Sequence, residues 1–290
     1  CLRDGLFQRG AHVMGGYNNC VEQMKILLRI IGHSLIVLLL TVVTQTGGIV
    51  WLVSLFIIRR FKVQRRYLVF PTLYLLVWAF TPFLAGAFGR VPLPLWASDA
   101  QAIQPQNAFT ILANRHYVKP RLRDEVLAVA KKMNANNEQL VLTYLDANFP
   151  FWDGFPLLPH RSHDDGEKLD LAFFYQKQGE LTSRAPAFMG YGRCAEPQTG
   201  EHDQAQACAK RGYWQYSLLR TLARPFTSSS YDLDAEATQS MVRAFVARPA
   251  IRKIFLEPHL KRRWGFAKSG KIRFHGCAAV RHDDHLHIQL

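Results

Sequence analysis

Two short polar stretches hold the residues of this chain best suited to chemistry. One is His160-Arg161-Ser162-His163-Asp164-Asp165-Gly166-Glu167-Lys168-Leu169-Asp170; the other is His282-Asp283-Asp284-His285-Leu286-His287. Together they contain five of the eleven histidines. Neutral imidazole and carboxylate are natural zinc ligands. In an extended strand alternate side chains share a face, so His285 and His287 project together, with Leu286 and Ile288 on the opposite, apolar side. Two adjacent imidazoles are costly to bury unless they are ligated or hydrogen-bonded. His163 and Asp170 offer one nitrogen and one oxygen. Adding one histidine of the HxH pair gives a His₂Asp set with its fourth position open, the arrangement in which a catalytic zinc acidifies bound water. Either pattern alone is common. HxxHxxxxxxD together with HxxHxH is much harder to obtain by accident.

The neighbouring charges divide by role. Asp283 and Asp284 either both orient the imidazoles or divide, one orienting and one a solvated loop charge, whereas Asp164, Asp165 and Glu167 read as solvated turn residues. Lys261-Arg262-Arg263 either meets substrate carboxylates or closes an exposed helix. His12, His33, His116, His202, His259 and His275 read as surface or packing residues.

Mixed elements must position these residues. The spacing predicts helices over 119–134, 213–222 and 235–247. Strands are expected over 140–145, 169–175, 251–256, 272–274 and 285–290, with loops over 176–212. Helices and strands do not alternate regularly, so the expected fold class is α+β: a small antiparallel sheet carrying the zinc site, with flanking helices. None of the five cysteines forms a CxxC pair, which argues against a zinc knuckle. Cys194 and Cys208 bracket a polar loop and are expected to close it as a disulfide in an oxidising compartment.

The first third has a different character. Residues 34–58 carry no charge over 25 positions, and 67–89 none over 23. Both runs match the roughly 20 residues needed to cross a hydrocarbon core, and both are read as transmembrane helices. Between them Arg59, Arg60, Lys62, Arg65 and Arg66 form a loop expected in the cytoplasm. Two spans then put both termini outside, although Lys25 and Arg29 ahead of the first span argue against it. The expected organisation is an N-terminal tail over 1–29 (disordered through residue 24, with Met14 a candidate start), two spans within 30–89, a Pro/Ala/Gln-rich linker over 90–108 and a zinc domain over 109–290. Net charge is +14, which suits an acidic polymer or membrane surface. No interleaved aromatic and basic motif points to nucleic acid.

The two site stretches resemble those of the LAS metallopeptidases, the group that includes lysostaphin, the D-Ala-D-Ala peptidases and the zinc domain of sonic hedgehog. HRSHDDGEKLD and HDDHLHIQL are most similar to the two motifs of the penicillin-insensitive murein endopeptidase family, leading histidines included. The resemblance covers roughly residues 107–290. It implies one zinc ion held by His163, Asp170 and His287. It implies His285 beside the metal as base or transition-state stabiliser, with His160 and His282 lining the site as further catalytic residues. The implied reaction is hydrolysis of peptidoglycan cross-links, such as D-alanyl–diaminopimelate bonds, by a domain on the periplasmic face of a bacterial inner membrane. Substrate-binding residues are not assigned. The two membrane spans depart from the soluble family pattern. The alternatives on the same residues are a zinc D,D-carboxypeptidase and a membrane-tethered zinc- or peptidoglycan-binding module without turnover.

Overall fold

The structure is a computed structural model that describes residues 4–290; the first three residues of the expected tail lie outside the described residues. The chain forms two compact units, Cys1–Leu76 and Val77–Leu290.

In the first unit, α1 (Asp4–Thr44) and α2 (Gly47–Phe61) are followed by the start of α3 (Arg66–Ala85). The expected tail is therefore helical from residue 4 onward. Two segments are long and apolar enough to cross a membrane, Val21–Thr44 and Arg66–Phe88. The first corrects the expected span over 34–58, which is not one helix. The chain reverses at Gln45, whose φ is 66°, and α2 runs back along α1. Glycine is what permits the return: a Cβ on Gly48 would lie 2.0 Å from Thr41 Oγ1 and 2.7 Å from the Val37 carbonyl. Further down the hairpin the Trp51 indole donates to His33 at 3.3 Å. Because the two helices are antiparallel, Lys25 and Arg29 lie toward the same end of the hairpin as Arg59 and Arg60.

The second unit runs β1 (Val91–Pro92), β2 (Ile103–Pro105), α4 (Ala108–Leu112), β3 (Tyr117–Val118), α5 (Pro120–Asn136), β4 (Leu142–Tyr144), β5 (Lys168–Ala172), β6 (Tyr175–Lys177) and β7 (Glu180–Thr182). It continues with α6 (Gln204–Lys210), α7 (Leu218–Ala223), β8 (Tyr231–Leu233), α8 (Ala235–Val246), β9 (Lys253–Phe255), α9 (Pro258–Arg263), β10 (Ile272–Arg273) and β11 (His285–Gln289). The fold is mixed α+β. Its six-stranded sheet has the order β10-β9-β11-β5-β4-β2. The inner pairings are antiparallel, and both edge strands add in parallel, so the sheet is larger and more mixed than expected.

Alternation along β11 and β5 separates core from site. Leu286 pairs with Leu171 and Ile288 with Leu169; all four are fully buried, in one core with Val126 and Ala130 of α5 and Val242 and Phe245 of α8. The opposite face carries His285, His287 and Asp170. α5 begins at Pro120, where the ring's missing N–H is not needed, and α8 is capped by Asp234 accepting from the Ala237 N–H.

The segment 90–108 is not a free linker. It supplies β1 and the edge strand β2, and it buries Leu93, Ala102 and Ile103. The expected loops over 176–212 contain β6, β7 and α6, and the helix expected over 213–222 divides into a 3₁₀ turn at Trp214–Ser217 followed by α7.

Candidate functional site

The site forms where β11 and β5 pair. His287 lies directly opposite Asp170 across the ladder, and His285 opposite Ala172. His287 Nδ1 is 2.8 Å from Asp170 Oδ1. The loop before β5 brings in His163, whose Nε2 is 3.1 Å from His287 Nδ1 and 3.3 Å from Asp170 Oδ1. The Nδ1 of His163 lies 2.6 Å from the Ala147 carbonyl. A proton held at that nitrogen leaves Nε2 with its lone pair facing the cluster.

His160 joins from the same loop on the other carboxylate oxygen, its Nδ1 2.6 Å from Asp170 Oδ2. His160, His163 and Asp170 are buried with ligand atoms within 4.8 Å of one another, a group able to bind a metal ion. His285 Nε2 approaches Asp170 Oδ1 at 3.8 Å, and its Nδ1 contacts Asp284 Oδ1 at 2.5 Å. The His282 ring centre lies 4.9 Å from that of His285 and 5.7 Å from that of His287. All six residues picked out by type and spacing are therefore in one cluster.

Beneath them is a layer that spacing did not reveal. Tyr191 donates to Asp170 Oδ2 or Asp146 Oδ2, each at 3.0 Å. Arg115 grips Asp146 through two bonds of 2.6 and 2.9 Å. Asp146 had no motif to mark it, although its place just after the predicted strand 140–145 is a usual position for a functional side chain. Asp284 also accepts from the Gly192 N–H at 2.5 Å, which ties the 190s loop to the site. Asp283 does not orient an imidazole; it is buried and paired with Arg281. Asp164 and Asp165 meet Lys168, and Glu167 meets Lys119. In the basic run, Lys261 donates to the Ile272 carbonyl at 2.7 Å and Arg263 pairs with Glu201. His275, read as a packing residue, stacks on Phe255 at 4.0 Å and lines the open cleft above the cluster.

That cleft has a volume of about 630 Å³, with Arg161, Ser162 and Gln215 on its walls. Its rim is fixed by a disulfide between Cys208 and Cys277, not between Cys194 and Cys208; Cys194 is free. The correction follows from the fold, which packs α6 against the loop entering the second site stretch and leaves Cys194 on a separate strap.

Charge is divided unevenly within the cluster. Burial works against the Asp170 carboxylate, yet His163, His285 and His160 hold its pKa well below the usual range. Burial alone would lower His285, but Asp170 and Asp284 push it up to about 9. His282 goes the other way: burial, then His285 and His287, keep it well below its ordinary value.

The sequence matches no protein-family model and no curated protein.

Proposed function

We propose that this protein is a membrane-anchored zinc metallopeptidase that hydrolyses peptide cross-links in peptidoglycan, a murein D,D-endopeptidase. The observation that carries this reading is the convergence of His163 Nε2, Asp170 Oδ1 and His287 Nδ1, mutually 2.8–3.3 Å apart. Ligands at about 2.0–2.2 Å on a tetrahedral ion are separated by roughly 3.3–3.5 Å, so the donor types suit one zinc and the three atoms, contracted here into hydrogen-bond contacts, need to part by only a few tenths of an ångström to hold it. The fit has further support in the Nε2 atoms of His160, His285 and His287, which are buried without a hydrogen-bond partner among the described residues. Such atoms are costly unless an ion or substrate completes them. A zinc ion held by His163, Asp170 and His287 would supply Lewis-acid polarisation of the scissile carbonyl and a water acidic enough to attack near neutral pH.

The chain's own groups supply the rest. Asp284 accepts the His285 Nδ1–H and so fixes the tautomer. A metal cation on Asp170 would offset the charge that raises His285, and the neutral ring would then have Nε2 as the atom that takes a proton from the attacking water and returns it to the departing amine, as general acid–base catalysis requires. Tyr191 and the Arg115–Asp146 pair hold His160 and Asp170 in place from below. His160 and His282 flank the reacting centre. The open cleft admits an extended peptide stem.

Orientation follows from the first unit. Lys25 and Arg29 share an end of the α1–α2 hairpin with Arg59 and Arg60, so the positive-inside rule places all of them, with the basic loop, in the cytoplasm. The N-terminus then lies inside rather than outside. α3 crosses outward, and the metal-site domain faces the periplasm of a bacterial inner membrane.

The test incubates the detergent-solubilised full chain with purified murein, with and without EDTA. The expected outcome is release of uncross-linked muropeptides that stops with chelator, one zinc per chain, and loss of both in His163→Ala. His285→Ala should keep the metal and lose the rate. Release of free D-alanine would instead favour a carboxypeptidase. Bound zinc with no product would leave a binding module.

A further inference from the structure

Arg161 stands between two histidines of the metal cluster and has no task there. His160 precedes it and His163 follows two positions later, both buried, whereas Arg161 is exposed and forms part of the wall of the metal cleft. Among the described residues its only hydrogen bond runs from the backbone N–H to the Pro159 carbonyl at 3.1 Å. The guanidinium is thus uncommitted. The acidic residues that follow it in the loop are not: Asp164 and Asp165 meet Lys168, and Glu167 meets Lys119. A free guanidinium presents its N–H donors in a planar fork that matches a carboxylate.

The surroundings favour an anion. Of the residues lining the cleft, Asp170 is the only acid, and it is fully buried against His160, His163 and His287. The sheet face that bears His287 carries further cations. Phe255 lies opposite His287 across the ladder, Lys253 opposite Gln289, and Arg273 beside Phe255. Paired residues share a face, and strands lie about 4.8 Å apart, so Arg273 is about 10 Å from His287 on the same side of the sheet. A peptide in this cleft meets a positive surface, with one uncommitted fork beside the metal cluster.

The substrate class supplies the matching group. In a D-alanyl–diaminopimelate bond the carbon that carries the scissile nitrogen also carries a carboxylate, so that charge sits next to the reacting centre. Resting on the peptidoglycan reading of this site, we propose that Arg161 binds the free α-carboxylate of the residue that supplies the leaving amine, and so restricts the substrate to cross-links in which this carboxylate is not amidated. The contact is made before the bond is cut as well as during the reaction, so its loss appears in KM more than in kcat.

The test uses the zinc-loaded, detergent-solubilised full chain and two synthetic cross-linked peptides that differ only in that carboxylate, free in one and amidated in the other. Each is also made with the scissile amide replaced by a ketomethylene group, so that binding is read without turnover. The expected result in the wild type is binding of the free form about 10–100-fold tighter than the amidated form, the scale of a charge-assisted pair. Arg161→Gln should erase that preference by weakening the free form alone. Lys131→Gln, on α5 behind the sheet, removes the same charge and should preserve it. Equal binding of the two forms by the wild type overturns the proposal, as does an Arg161→Gln variant that weakens both forms alike or neither. Cleavage of both forms at equal KM would leave the peptidase standing and remove Arg161 from its specificity. No cleavage of either form, with the preference in binding present and lost in Arg161→Gln, would remove the peptidase and keep the carboxylate site.

Discussion

The two stretches that build the site are held by different means. β11 lies between two neighbours, in register with β5 from His285 to Gln289 and with β9 from His287 to Gln289. Its side-chain directions follow from the ladder alone. The loop carrying His160 and His163 has no ladder. Distant side chains set its path: Arg90 donates to the Phe149 carbonyl at 3.0 Å, Asn148 accepts from the Gly166 N–H at 3.0 Å, and the Lys119 N–H meets the Gly166 carbonyl at 2.8 Å. A strand therefore delivers its imidazoles by alternation, whereas the loop delivers its imidazoles only if partners far away in sequence are in place. Damage on the strand side should strike individual functional atoms. Damage on the loop side should loosen a candidate ligand as a whole.

The largest expected effect is on the strand side. Asp284→Asn keeps the shape and one acceptor but no longer enforces the Nδ1–H tautomer of His285. The expected loss in kcat is about 10²-fold or more, with zinc content unchanged by metal analysis. A variant at full rate would remove His285 from the proton path. A smaller effect is expected in the loop. Gly166 has φ of +79°, and a Cβ there would lie 2.7 Å from Arg90 Nε. Gly166→Ala should push the loop off Arg90 and weaken zinc affinity about 10–100-fold, the scale of losing a supporting contact, with the rate recovering at saturating zinc. Competition with a chromophoric chelator reads the affinity. An unchanged value would mean that the loop keeps its shape without Arg90.

The same contrast explains what could be read from the sequence. The HxH alternation announced the strand, its apolar face and its two imidazoles, because period 2 is a local property. The pairing of His287 with Asp170 was implied only by family resemblance, since register depends on both strands. The layer of Arg115, Asp146 and Tyr191 has no shared motif, and only the place of Asp146 after a strand hints at it: its members come from a loop after α4, the end of a short strand and a strap in the 190s. The disulfide was mispaired for a similar reason, since nearness in sequence stood in for nearness in space. In the first unit, charge-free length marked apolar helices correctly but joined two of them across Gln45. Hydropathy cannot register a reversal when glycines and a positive φ create it without adding charge.

The smallest expected effect sharpens the strand side further. Glu257, just after β9, is buried; it accepts from the Tyr216 hydroxyl and from the His282 N–H at 3.2 Å. Burial, reinforced by Asp283 and opposed by those two donors, raises its pKa from 4.5 to about 7. The folded state therefore holds this proton more tightly than the unfolded chain does. The resulting stabilisation is complete below pH 4.5 and is lost as pH rises to about 7. For a shift of this size the loss is on the order of 3 kcal/mol. Glu257→Gln is permanently neutral and should lack this dependence. Thermal unfolding of the detergent-solubilised chain, followed by near-UV circular dichroism, should show wild type and variant converging near pH 4.5 and the variant the more stable at pH 8. All other ionisable groups are common to both proteins, so the difference reports on position 257. A difference that does not change with pH would mean that Glu257 is already ionised when folded. His282 would then face a carboxylate held in place by its charge, and the strand side would be as dependent on distant partners as the loop.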